Sequence, residues 1–284
     1  MTQSERKRLE DRLMCPPGFT YTKIKGGAAC VRQDVLPEQI ELLLSKDAEI
    51  LKETRKTQVR SVGNWIIKER RSPFYRSAGM PAQNREKHSR PWRAGNYLRM
   101  YGINIPEPLA YVERKFTGIV FKSWHIFQNL TFCRDVESYL SEIIIGGATG
   151  TVLSCFLRHL AEAVNELEAV NAFHGDLSGK NIYTSDGERF YFIDLDAVEY
   201  NVEYDSKKRM KNHVQLYDSF CDALSDSLLV PFLGELLPES EDLRVWMPAV
   251  RKAQKQRRAK VEEDWAKHGR PEHINPLRAF QTHC

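Results

Sequence analysis

The chain has 284 residues, enough to bury a substantial core as one two-lobed domain or as two small ones. Its 42% hydrophobic and 28% charged content is ordinary for a soluble globular protein and excludes a disordered or fibrous chain. With 42 basic against 38 acidic residues the net charge is only +4, which gives no reason to expect a nucleic-acid partner.

Residues 1–17 read as a charged lead-in ending at Pro16-Pro17, with no apolar segment of the kind a secretory signal needs. Strands are predicted at 19–24 and 28–33, around a turn at Gly26-Gly27. Residues 38–56 have helical spacing around Leu42, Leu43 and Leu44, and residues 62–68 alternate as a strand. The polar, Pro- and Gly-bearing stretch 72–91 predicts a connection, and 92–101 a helix stopped by Gly102. Two further strands follow near 109–113 and 119–127, then a short helix at 134–142 and the flexible, glycine-bearing 146–150. Leu153, Phe156, Leu157, Leu160, Val164, Leu167 and Val170 fall on one helical face, the clearest helix in the sequence. Residues 197–213 predict a loop, with the next helix beginning by Val214.

Strands first and helices afterwards is the layout of a small sheet lobe joined to a larger helical lobe, an α+β fold. The expected division is a lead-in at 1–17, a sheet lobe at 18–130, a helical lobe at 131–240 and a basic helical extension at 241–284. The six cysteines, Cys15, Cys30, Cys133, Cys155, Cys221 and Cys284, lack metal-ligand spacing and read as reduced thiols. No stretch approaches the roughly 18 apolar residues that span a bilayer. The expectation is a cytoplasmic protein.

The chemistry is carried by His174-Gly175-Asp176-Leu177-Ser178-Gly179-Lys180-Asn181, followed by Phe192-Ile193-Asp194-Leu195-Asp196. An Asp, an Asn five positions on and a second Asp 18 positions after the first suit phosphoryl transfer. That reaction asks for an oriented nucleophile and neutralised triphosphate charge. Asp176 can accept the attacking hydroxyl's proton, while Asn181 and Asp194 offer the hard oxygens that Mg²⁺ prefers. Asp186-Gly187 predicts a hairpin turn joining strands at 182–184 and 190–193.

HGDLSGKN resembles the kinase catalytic loop H-R-D-L-x-x-x-N, and IDLD stands where kinases have D-F-G. The segment resembles more closely the lipopolysaccharide kinase (Kdo/heptose kinase) family of the protein-kinase-like superfamily. The resemblance extends upstream to Trp92-Arg93-Ala94-Gly95-Asn96-Tyr97-Leu98 and Gly102-Ile103-Asn104-Ile105-Pro106-Glu107-Pro108-Leu109. It implies an ATP- and Mg²⁺-dependent kinase with Asp176 as catalytic base, Asn181 and Asp194 as metal ligands and His174 bracing the loop. Lys68 stands in the position of the lysine that contacts nucleotide phosphates, with Gly26 and Gly27 as the available phosphate-covering turn and Lys180 beside the loop. The usual acidic partner of that lysine would stand at Pro91, which leaves Glu86 as the alternative. Asp196 reads equally as an accessory acid or a turn cap.

No A-P-E motif closes a peptide platform after Asp194, which favours a glycan or glycolipid acceptor, and by resemblance a Kdo or heptose of the lipid A–core. Lys207, Lys208, Arg209 and Lys211 are candidates for its phosphates or carboxylates, against the plainer reading of a solvated charged loop. Residues 251–260 hold six basic residues and no acid, a candidate contact with an anionic membrane or simply a solvated helix face. A kinase of another small molecule such as an aminoglycoside or choline, a protein kinase and a pseudokinase scaffold remain alternatives.

Overall fold

Thr2 and Glu5 close a reciprocal cap on α1 (Gln3–Met14), each side chain accepting the other's backbone N–H. The structure, a computed structural model, describes residues 2–72, 81–269 and 274–283, with backbone alone at 81–85 and 281–283. It divides into two units, residues 1–131 and 132–284.

In the first unit, α1 is followed by β1 (Phe19–Ile24), β2 (Gly27–Arg32), α2 (Pro37–Ser45), β3 (Glu49–Glu53), β4 (Thr57–Val62) and β5 (Trp65–Arg71). Then come α3 (Pro81–Met100), β6 (Pro108–Phe116) and β7 (Ile119–Gln128). The strands make one antiparallel seven-stranded sheet in the order β1-β2-β6-β7-β5-β4-β3. Alternation sends Val31, Ile67, Val112, Trp124 and Ile126 to one face, against Ile40 of α2. Cys30 and Tyr111 point to the other, against Trp92 of α3.

The expected lead-in is helical and packed. Leu13 is buried, and the Leu13 and Met14 carbonyls accept from Asn96 Nδ2 at 2.9 Å and Trp92 Nε1 at 3.0 Å. Three other expectations for this unit change. The helix expected over 38–56 stops at Ser45, because 49–53 pairs as the edge strand β3. Val62 ends β4, and a turn at Gly63-Asn64 separates it from β5. The helix expected from 92 begins at Pro81, while 73–80 lie outside the described residues.

Pro91 therefore sits inside α3 and brings no amide to the carbonyl of Lys87, four residues back. Arg70 of β5 fills that gap, its Nη1 donating to Lys87 O at 2.9 Å. His125 of β7 donates from Nε2 to the adjacent His88 O at 2.9 Å. The proline is thus tolerated because the sheet supplies the donor that the helix lacks.

The second unit runs β8 (Arg134–Asp135), α4 (Val136–Ile145), α5 (Gly150–Ala169), β9 (Ala172–Phe173), β10 (Ile182–Thr184), β11 (Phe190–Phe192) and β12 (Glu199–Tyr200). It continues with α6 (Ser206–Phe220), α7 (Asp226–Glu235) and α8 (Leu243–His268). The periodic residues of α5 are buried as its spacing predicts, Leu153, Phe156, Leu157, Leu160, Val164 and Leu167 among them. The helix expected from 134 starts at Val136, with Asp135 as its cap accepting from Ser138 N at 3.0 Å. The expected loop 197–213 is shorter, because Asp205 caps α6 and the basic cluster falls on that helix.

The helix expected as a basic C-terminal extension belongs to the body of the unit. Trp246, Met247 and Val250 of α8 are buried, and Gln254 donates to Asp218 of α6 at 2.9 Å. Of the basic run, Arg257 and Arg258 pair with Asp218, Arg258 also with Asp222, and Arg251 with Asp226 at 2.7 Å. Half of the six cations in that run are spent inside the protein.

Candidate active site

β9 leads out of α5 into the loop 174–181, and the β10–β11 hairpin returns the chain to Asp194. The hairpin has a five-residue connection, 185–189, rather than a two-residue turn. Asp186 Oδ1 accepts from the Glu188 and Arg189 amides, both at 2.9 Å, while Gly187 takes φ +77°.

The two halves of the site are stitched at one residue, Ile193. Ile193 N donates to Asn181 O at 3.0 Å, and His174 Nε2 lies 3.0 Å from Ile193 O. A carbonyl only accepts, so Nε2 carries the proton. Full burial lowers the His174 pKa, which keeps the ring neutral. With Ile193 held on both sides, the next residue has little freedom. Asp194 takes φ 54°, ψ 57°, a left-handed conformation that costs a non-glycine residue about 1 kcal/mol. Its side chain is exposed.

Asp176 is held from two directions. Asn181 Nδ2 donates to Asp176 Oδ2 at 3.0 Å and to Asp176 O at 2.9 Å. Gln215 of α6 donates from Nε2 to Asp176 Oδ1 at 3.2 Å, while its own Oε1 accepts from Leu177 N at 2.9 Å. Ser219, one turn further along α6, accepts from Gly179 N at 2.9 Å and donates to Gln215 O at 3.0 Å. Gly175 is required twice over. Its φ is +78°, and a Cβ there would stand 2.4 Å from Ala197 O.

Beneath the loop lies Glu137 of α4, 4% exposed, so close that a Cβ on Gly179 would meet its Cγ at 2.5 Å. Burial pushes the Glu137 pKa up to about 7, against polar contacts with the Ser219 side chain and the Lys180 amide. Sequence reasoning missed Gln215, Ser219 and Glu137. The one signal on offer was the Gln-x-x-x-Ser spacing, which puts both polar side chains on one face of a helix.

In the first unit Lys68 is the fourth residue of β5, half-buried, between Val59 of β4 and His125 of β7. It shares a face with Arg70, the face on which α3 lies. Glu86, the alternative acid, is exposed and 3.9 Å from Arg90 on the same helix. Gly26 and Gly27 are not brought to Lys68. Their hairpin joins β1 and β2, and β6 and β7 stand between β2 and β5, about 14 Å at ordinary strand spacing. Gly27 is explained by packing, since a Cβ would stand 2.3 Å from Glu113 O. The turn next to the Lys68 strand is instead 54–56, Thr-Arg-Lys, between β3 and β4. Lys180 is exposed and Asp196 half-buried, each in a short 3₁₀ turn.

The donor chemistry fits a hard divalent cation. Because Asn181 turns Nδ2 inward, its Oδ1 is the amide oxygen left to face an ion, alongside the exposed Asp194 carboxylate. Among the described residues no group of three or more His, Cys, Asp or Glu is placed to hold a metal. Mg²⁺ takes few protein ligands and fills its shell from water and phosphate oxygens.

The sequence pattern of the lipopolysaccharide kinase (Kdo/WaaP) family matches residues 42–263, most of the chain. The chain belongs to that family. A 3-deoxy-D-manno-octulosonic acid kinase of Vibrio cholerae serotype O1 is 28% identical over 101 residues, 36% of this chain and 40% of that protein. The match thus spans less than half of that relative's length. A solved structure of WaaP in complex with acyl carrier protein is similar with a TM-score of 0.59, at 16% identity, over 77% of this chain and 92% of that one. At that identity the likeness is one of fold, and the expected protein-kinase-like, two-lobed α+β fold is borne out. The family match begins at residue 42, so Gly26 and Gly27 lie outside it, as they lie away from Lys68 in the sheet.

Proposed function

We propose that this family member is an ATP- and Mg²⁺-dependent kinase that phosphorylates a sugar hydroxyl, a Kdo or heptose of the lipopolysaccharide core. The observation that carries the reading is the Asp176 carboxylate, oriented by Gln215 on one oxygen and Asn181 on the other. Family membership supports the acceptor class.

Asp176 accepts a hydrogen bond from the acceptor hydroxyl and aligns its lone pair with the γ-phosphorus. As the oxygen–phosphorus bond forms, the bond from that phosphorus to the β,γ-bridging oxygen breaks, and the proton passes to Asp176. Asn181 and Asp194 would hold Mg²⁺, which neutralises the triphosphate charge. Lys68 and Lys180 are the proposed phosphate-binding lysines, and Gly26 and Gly27 have no part. Among the described residues no helix is long and apolar enough to cross a membrane. We place the enzyme in the cytoplasm, where ATP is supplied, with its acceptor drawn from the membrane face.

The test is phosphate transfer from labelled ATP to a panel of acceptors: Kdo-bearing lipid A, heptose-bearing lipid A, an aminoglycoside and choline. Label on a core sugar supports the reading. Label on the aminoglycoside or choline alone replaces it.

A further inference from the structure

A groove of about 560 Å³ lies between α6 and α8. On α6 the spacing Lys207, Met210, Lys211, Val214 makes a stripe one face wide. On α8, Trp246 and Ala253, two turns apart, form the facing wall. The floor is apolar and no acidic residue lines it.

The cations at its rim are available. Lys207 and Lys211 are exposed, and Lys207 makes no ion pair among the described residues. Lys211 Nζ lies 5.5 Å from the ring centroid of Phe173, the residue before His174. Lys208 and Arg209 are otherwise engaged, with Glu203 O at 3.1 Å and with Glu168. The basic cluster that reads as four equivalent charges in the sequence therefore splits into two inward and two outward.

Ser206, Arg257 (paired with Asp218) and Gln215 complete the lining, and Gln215 is the residue that donates to Asp176 Oδ1. The groove and the proposed base thus share a side chain. A cationic rim, an apolar floor and a side chain shared with the base match a ligand with an anionic group, an apolar portion and a hydroxyl to be phosphorylated. We infer that the α6–α8 groove binds the acceptor itself, a phosphate-bearing glycolipid, with its anionic groups at Lys207 and Lys211 and its apolar part against Met210, Val214 and Trp246. The inference rests on the sugar-kinase reading and adds the place where the acceptor is held.

The experiment is direct binding without ATP, using Kdo-bearing lipid A in detergent micelles and the same lipid after enzymatic removal of its phosphates. Wild type is compared with K207E/K211E, with Ala253→Trp, which fills the groove, and with Lys252→Glu, an exposed α8 charge outside it. Thermal melts confirm that each variant is folded. Binding of the phosphorylated lipid is expected to weaken at least about tenfold in the first two variants and on removal of the phosphates, and to hold in the third. Wild-type binding by both groove variants overturns the inference. So does equal, groove-dependent binding of vesicles of anionic phospholipid, which would make the groove a membrane contact. Groove-dependent acceptor binding by a wild type that transfers phosphate to no sugar keeps the groove and rejects the sugar-kinase reading.

Discussion

Gln215 Nε2 stands 3.2 Å from Asp176 Oδ1, and the same amide's oxygen takes the Leu177 N–H at 2.9 Å. One side chain from α6 therefore fixes both the carboxylate and the backbone that carries it. Gln215 acts through Asp176 and is a positioning residue.

Replacing Gln215 by Ala is expected to lower kcat about tenfold to a hundredfold with a small change in the KM for ATP. Gln215→Glu tells orientation from mere packing. A carboxylate there keeps the shape but loses the N–H donated to Asp176 Oδ1 and sets a like charge beside it, so kcat should fall at least as far as in Gln215→Ala. Wild-type kcat in Gln215→Glu would reduce Gln215 to a packing role.

Asp194 separates stability from function. Its left-handed backbone disfavours any side chain, so Asp194→Gly is expected to leave the melting temperature unchanged or higher, by about 1 kcal/mol of stability. The same change removes a proposed metal ligand, so Mg²⁺-dependent nucleotide binding should be lost. Retained Mg²⁺ dependence would remove Asp194 from the metal site.

Gly175→Ala is the reverse case. The new methyl would stand 2.4 Å from Ala197 O in a backbone already at φ +78°. A loss of roughly 2–4 kcal/mol is expected from strain and overpacking, read by urea denaturation. A loss below 1 kcal/mol would mean that the loop relaxes and that the glycine is not demanded there.

Glu137 sets a pH dependence. Its pKa is raised to about 7 from 4.5, so burial favours the neutral acid. That contribution to stability is fully present below about pH 4.5 and is lost as pH rises through about 7. Glu137→Gln keeps the neutral shape at every pH. Wild type should therefore lose up to roughly 3 kcal/mol more than the variant between pH 4.5 and 8. Parallel stability curves would place the Glu137 pKa in its ordinary range.

The sequence shows the loop 174–181, the Asp194 strand end and α5, because each is local: fixed spacings, a turn signal or one helical face. Gln215 and Ser219 escape it, since they meet Asp176 and Gly179 across 39 and 40 residues and their one local mark, a shared helix face, does not say what they meet. The strand β3 escapes it for another reason. It is an exposed edge carrying Glu49, Lys52 and Glu53, charges that keep an edge from pairing further and hide the alternation that would announce a strand. Gly26-Gly27 misled, because a turn that needs a glycine looks alike wherever it falls in a sheet, and only strand order shows which turn lies beside Lys68.

The most direct test of the central claim is single-turnover transfer from γ-labelled ATP to Kdo- or heptose-bearing lipid A, with Mg²⁺ varied, for wild type and Asp176→Ala. Mg²⁺-dependent labelling of the sugar, reduced by about a hundredfold or more in Asp176→Ala at equal nucleotide binding, is the predicted result. Transfer at the wild-type rate in Asp176→Ala would contradict it.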